Sequence, residues 1–162
     1  MRVMISNTTP INYLVLIDHI AVLHQLYTRV IIPQAVFGEL QEEGTPAKVK
    51  AWVATHAEWL EVRTVSVPLD ASLAFLDVGE REAIHLATEL EADALIIDEP
   101  AGREAAKRQG LRVMGTLRVL SDAAEAGLCH LEQAYDRLQH TTFRAHPDLY
   151  RAFLEMYSQR RE

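Results

Sequence analysis

Four short stretches of this chain bring an apolar run up to an oxygen-bearing side chain: Val3-Met4-Ile5-Ser6-Asn7, Val36-Phe37-Gly38-Glu39-Leu40, Gly79-Glu80-Arg81-Glu82-Ala83-Ile84 and Leu95-Ile96-Ile97-Asp98-Glu99. Two of them end probable parallel strands, and two open helices or lie early on them. In an open α/β sheet, strand carboxyl ends and the starts of the following helices converge on one crevice. Carboxylates crowded there repel one another unless a cation neutralises them. A set of donors that is oxygen only suits Mg²⁺ or Mn²⁺. The chemistry such a site would perform is metal-dependent phosphodiester hydrolysis.

Each of these residues also has a plainer role open to it. Asn7 follows the first strand and is suited to capping the next turn. Glu39 shares an acidic helix end with Glu42 and Glu43, yet lies toward the side of Ala35 and Val36. Asp77 and Glu80 have capping-box spacing, which makes Glu80 structural; Glu82 suits a surface position one turn into the same helix. Asp98 is the most informative single residue, an acid that ends a strand just before a helix, with N-capping of that helix as the competing explanation. Glu99 and Arg103 are spaced i, i+4, which favours a surface ion pair over a phosphate clamp. None of the seven histidines has ligand spacing, and no phosphate-binding glycine loop is present.

The elements that must position these residues read as α/β. Arg2 to Ser6 is a buried strand, and Thr9 with Pro10 is an N-cap and first helical position for a short helix to Ile17. A second helix spans Ile20 to Tyr27. Val30 to Ile32 is a strand, Pro33 opens a helix through Glu42, and Ala47 to His56 is helical. Leu60 to Val65 alternates with period 2, as an edge strand does. Asp77 to Glu91 is the clearest helix, with Ala83, Ile84, Ala87 and Leu90 on one face. Ala94 to Ile97 is a strand, Ala101 to Gln109 a helix ended by Gly110, and Leu111 to Met114 a last strand. Gly115-Thr116 opens a helix that Gly127 ends. From about residue 130 to 162 the chain is helical, broken at His146-Pro147. This alternation implies a parallel sheet with right-handed crossovers and helices on both faces.

Composition narrows the class. The 162 residues are 49% hydrophobic and 24% charged, an ordinary balance for one soluble domain over 1–162. One cysteine, Cys129, excludes an internal disulfide and a cysteine zinc site, which suits the cytoplasm. No signal-peptide pattern or membrane-spanning run is visible. With 16 Lys+Arg against 23 Asp+Glu, the net charge of −7 argues against broad nonspecific nucleic-acid binding but not against a nuclease whose acids hold divalent ions.

The residues Ser6-Asn7-Thr8-Thr9-Pro10-Ile11, Ile31-Ile32-Pro33 with Val36 and Glu39-Leu40, Leu76-Asp77-Val78-Gly79-Glu80-Arg81-Glu82-Ala83-Ile84, and Ile96-Ile97-Asp98-Glu99 with Arg103 resemble a PIN domain. More narrowly they resemble its prokaryotic VapC-like branch, as do Gly115-Thr116-Leu117, Thr142-Phe143-Arg144 and Asp148-Leu149-Tyr150. The resemblance covers nearly the whole chain. It implies a three-layer α/β/α sandwich around a parallel sheet of four or five strands, Mg²⁺- or Mn²⁺-dependent ribonuclease activity, and the role of toxin beside a cognate antitoxin, with homodimerisation common.

Carried over residue by residue, the resemblance puts the site on Asn7, Glu39, Glu82 and Asp98, with Glu80 and Glu99 as neighbours. Glu39, Glu82 and Asp98 would hold metal, Asn7 would ligate it or orient water, and Thr8, Thr9, Thr116 and Arg103 would touch RNA phosphate. Two positions depart from the family. Asn7 stands where PIN nucleases usually have Asp, although Asn occurs in this branch, so the site has one negative charge fewer and weaker metal binding is expected. Ile96 stands where Thr or Ser is common. A degenerate PIN-like fold acting as a binding or regulatory module is the alternative that Asn7 keeps open. A receiver-like domain fits poorly, since no acidic pair follows the first strand.

Overall fold

The computed structural model describes residues 2–56 and 58–161, with only the backbone at Arg161. Met1 and Glu162, the ends of the single domain expected from the sequence, lie outside the described residues. Five strands, β1 (Val3–Ser6), β2 (Arg29–Pro33), β3 (Leu60–Arg63), β4 (Ala94–Ile96) and β5 (Val113–Met114), form one sheet in the order β3-β2-β1-β4-β5. Every pairing is parallel. Strand order therefore reverses between β1 and β4, and the carboxyl ends of these two strands flank the crevice where ligands bind in open α/β sheets.

Strand side chains alternate between two cores because a strand's period is 2. Met4, Val30, Ile32, Ile96 and Met114 face one hydrophobic cluster, and Val3, Ile5, Ile31, Leu95 and Ile97 the other. The first cluster is completed by α1 (Thr8–Leu16), α2 (Ala21–Leu26), α4 (Ala47–Ala54), α7 (Thr116–Glu125) and α8 (Leu131–Gln139), with residues of α3 (Gln34–Glu39) and α9 (Pro147–Arg161). The second is completed by α5 (Val78–Glu89) and α6 (Pro100–Arg108), through Ala83, Ile84, Ala87, Ala105 and Ala106. The result is the expected α/β/α sandwich. Both faces of β1 and β4 are covered, which explains why these segments read as unbroken apolar runs. At the edge, β3 is half-buried, as its alternation predicts.

The local differences from the sequence reading have physical causes. The first helix starts at Thr8, so Asn7 and not Thr9 occupies the N-cap position; Asn7 is extended there and its side chain makes no cap bond. Pro33 is both the last residue of β2, paired with Arg63, and the N-cap of the helix that follows. The following helix is correspondingly short and ends at Glu39, after which single tight turns, Gln41 N–H to Gly38 and Glu42 N–H to Glu39, replace helical bonding. Gly110 and Gly127 follow α6 and α7 with φ of 79° and 77°, the left-handed conformation that glycine takes without strain and that ends helices.

Candidate metal and nucleic-acid site

Backbone N–H of Asn7 bonds to the Ile96 carbonyl at 2.9 Å, extending the β1–β4 pairing one step and fixing Asn7 beside the β4 exit. The Asn7 side chain is buried at 3% exposure. Its Nδ2 donates to Glu99 Oε2 at 3.1 Å, and the other Glu99 oxygen accepts from the Thr9 hydroxyl. Thr8, one residue on, donates its hydroxyl to Glu39 Oε2 at 2.5 Å. The first turn of α1 thus ties the acid at the end of α3 to the acid after β4.

The α5 start closes the group. Asp77 accepts from the Glu80 N–H at 2.8 Å, the cap that the D-x-x-E spacing predicts. Glu80 is buried, 8% exposed, and a Cβ on Gly102 of α6 would stand only 2.7 Å from its Oε2. A Cβ on Gly79 would likewise collide with Glu39 Oε1. Glycine at both positions lets carboxylates lie against helix backbone. Burial, then hydrogen bonding to Asp77, then the charges of Asp77, Glu99 and Glu39 push Glu80 up to about 8. Burial also raises Glu39, against the Thr8 hydrogen bond that lowers it. Such upward shifts mark negative charge confined without compensation.

The structure brings Asn7, Glu39, Glu80 and Glu99 into one network through Thr8, Thr9 and Asp77. It directs the other two predicted acids elsewhere. Glu82 Oε1 accepts from the Ala35 N–H at 3.1 Å, at the start of α3. Asp98 turns toward α7: Oδ1 accepts from the Thr116 N–H at 2.8 Å and Oδ2 from the Thr116 hydroxyl at 2.7 Å. Asp98 therefore caps a helix, but α7 and not the α6 that follows it in sequence. It remains electrostatically coupled to Glu99 and Arg103, and burial raises its pKa. Arg103 forms no surface pair with Glu99 among the described residues; it donates to the Ile97 carbonyl at 2.9 Å. The signal separating Glu80 from Glu82 is the cap spacing with Asp77.

A divalent ion fits these donors by chemistry. Asn7 Oδ1 is buried and has no hydrogen-bond partner, an unusual and costly state for an amide oxygen. In the same network Glu39 and Glu80 are raised, first by burial and then by neighbouring acids. Among the described residues, however, no three His, Cys, Asp or Glu side chains stand close enough to hold an ion as they lie. Glu39 and Glu99 are turned onto the Thr8 and Thr9 hydroxyls, and those bonds must open for the oxygens to converge.

Residues 3–159 match the family DUF3368, a PIN domain. The chain belongs to that family. PIN domains are generally nucleases that use divalent metal ions, so the fold is of the nuclease type. Among solved structures, a PilT N-terminus domain protein from the hyperthermophilic archaeon Sulfolobus solfataricus P2 is similar, with 19% identity and a TM-score of 0.50, over 90% of this chain and 100% of that one. At that identity the likeness concerns the fold alone. No protein of curated function matches the chain. Among the described residues no helix is long and apolar enough to cross a membrane.

Proposed function

We propose that this PIN-domain protein is a Mg²⁺- or Mn²⁺-dependent endoribonuclease of the VapC-like kind, the toxin of a toxin–antitoxin pair. The observation that carries the reading is the partnerless, buried Asn7 Oδ1 beside Glu99, at the point where strand order reverses. Asn7, Glu39, Glu80 and Glu99 are the residues that would hold the ion, with Asp98 bordering them and Glu82 setting the start of α3. The ion, when bound, supplies positive charge to the phosphate and acidifies a water.

The chain's own residues do the rest. Asn7 keeps Glu99 in place through Nδ2 and presents Oδ1. The Thr8 and Thr9 hydroxyls hold Glu39 and Glu99 in the metal-free protein and are then released to face phosphate oxygens. Glu80, raised to about 8 by burial and its acidic neighbours, holds a proton in the metal-free protein and would give it up on joining the ion's ligands. Asp98 fixes Thr116 and thereby the start of α7 next to the site. A cytoplasmic location, a homodimer and an antitoxin that covers the site go with this reading.

A second reading is favoured by the absence of a ready-made ion cage among the described residues and by Asn7 itself: a PIN-like module that binds nucleic acid without cutting it. Incubating the protein with a mixed-sequence RNA, in Mn²⁺, Mg²⁺ or chelator, separates the two. The nuclease reading expects metal-dependent internal cleavage that Glu99→Gln and Glu80→Gln each abolish while the fold persists. Binding of RNA without cleavage in either metal establishes the module instead.

A further inference from the structure

Asp98 faces away from the acid network into a second feature, a cleft of about 290 Å³ between β5, α7 and the segment joining α8 to α9. That volume is at the lower end of small-ligand sites, roughly 300–1,000 Å³, the size of one nucleotide and not of a folded domain. Its walls are of two kinds. Phe143, Leu149, Phe153 and Met114 give an apolar side, with Leu149 47% exposed toward solvent. Arg103, Arg118 and Arg144 give a cationic side.

The charges of these arginines are only partly offset. Arg118 is paired with Asp122 at 2.9 Å, and Arg103 lies beside Asp98. Arg144 is exposed and has no hydrogen-bond or ion-pair partner among the described residues. Three arginines against these two aspartates leave one positive charge in surplus, in a chain whose net charge is −7. The cleft floor stays open because residue 115 is glycine: a Cβ there would stand 2.7 Å from Asp98 Oδ1 and 3.3 Å from an Arg103 nitrogen.

We infer that this cleft is a nucleotide subsite, taking the RNA residue next to the scissile phosphate. The inference rests on the nuclease reading for its place in the reaction but on its own residues for binding. The phosphate lies between Arg144 and Arg103, as guanidinium groups favour phosphate oxygens. The base lies against Phe143, Phe153 and Leu149, an apolar contact open to any base. Asp98 joins the two features: it lines the cleft and borders the acid network, so a strand seated here leads directly to the site.

The test measures binding in chelator, where cleavage cannot contribute. The four 5′-ribonucleoside monophosphates are titrated into the protein by NMR, with inorganic phosphate and an acidic heptapeptide as comparison ligands. The variants are Arg144→Ala and Leu149→Glu, both at exposed positions that leave the core intact. A fluorescent decamer RNA is titrated in parallel over a range of salt. The subsite predicts shifts around Phe143, Arg144 and Leu149, mononucleotide binding far stronger than that of phosphate, and weakening by about tenfold in either variant. For the RNA, Arg144→Ala lowers the salt slope by about 0.7, the loss of one phosphate contact.

Mononucleotide binding unaffected by either variant overturns the inference, as does phosphate binding as well as nucleotide or the acidic peptide outcompeting both. The two readings fail separately. If wild-type protein does not cut RNA but binds nucleotide through Arg144, the cleavage reading falls and the subsite stands. If it cuts RNA and the cleft variants change neither binding nor KM, the reverse holds.

Discussion

Asn7 stands where PIN nucleases usually have Asp, and its environment makes the difference testable. An Asp at position 7 adds a unit charge to a site that must attract a dication. At about 4 Å and an effective dielectric near 20, a unit-charge pair is worth roughly 4 kcal/mol before losses. Two costs offset it. The added carboxylate repels Glu39, Glu80 and Glu99, and the hydrogen bond from Asn7 Nδ2 to Glu99 becomes a close contact between two acceptors. For Asn7→Asp we expect a net gain of about 1–2 kcal/mol in Mn²⁺ binding, on the order of tenfold, with lower stability in chelator. Calorimetric titration and melts of both proteins check it; no change in either quantity would reduce Asn7 to a packing residue.

Glu80 gives the pH dependence. Its folded pKa, about 8, lies above its ordinary value of 4.5, so folding favours its protonated form. The stability that the proton provides is complete below about pH 4.5 and is lost as pH rises through 8. Glu39 and Asp98 are shifted in the same direction and add to the loss. Glu61, lowered by its hydrogen bonds to Arg29, acts oppositely and in another window, losing stability as pH falls below its ordinary range. In chelator, Tm should fall between pH 5 and 8 and millimolar Mn²⁺ should restore it, with proton release on binding. Glu80→Gln should flatten that fall. A Tm insensitive to both pH and Mn²⁺ over this interval would contradict the coupling.

At the scale of elements, the site depends on how closely α3, α5 and α6 approach one another. Gly79 lies in the first turn of α5 with Glu39 Oε1 against its backbone. Ala costs nothing in helix propensity, where it is better than Gly by about 1 kcal/mol, and the carboxylate it displaces is the flexible end of a side chain. Gly79→Ala should therefore leave Tm nearly unchanged while weakening Mn²⁺ binding several-fold and slowing cleavage in proportion. Unchanged metal affinity in the folded variant would show that Glu39 does not need this approach, and loss of folding would show that the carboxylate cannot give way.

The same scale explains what the sequence disclosed. β1, β2 and β4 were legible because strands buried on both faces are apolar throughout, and α5 because its helical period and its Asp77 cap agree. The rivalry of Glu80 with Glu82, and of Glu99 with Asp98, was not. Residues two apart on a helix point about 200° apart, so the acid that meets the crevice depends on which face packs on the sheet. After β4, period 2 sends Asp98 toward α7 and Glu99 toward Asn7 and Thr9. Sequence pointed to four segments; packing decides which acid in two of them joins the Asn7 network. The cleft was less legible still, since Phe143, Arg144 and Leu149 meet Asp98 only through the path of the chain between α8 and α9.

For the whole molecule, an acidic chain must engage an anionic substrate. On the proposed function, net repulsion from a charge of −7 would be countered in two places, the Asn7 network with its ion bound and the arginine cleft, on either side of Asp98. RNA affinity should therefore rise with Mn²⁺ as well as depend on Arg144, and anisotropy titrations of an uncleavable RNA analogue with and without metal would show it. Affinity independent of metal would confine substrate binding to the cleft.

The central claim is that Asn7, Glu39, Glu80 and Glu99 hold the ion. Anomalous diffraction from a crystal soaked in Mn²⁺ measures that directly. The account predicts a peak at about 2.2 Å from Asn7 Oδ1 and from oxygens of at least two of the three glutamates, with the Thr8 and Thr9 hydroxyls released from their carboxylates. A peak seated on Glu82, or no peak at Asn7 under millimolar Mn²⁺, would contradict it.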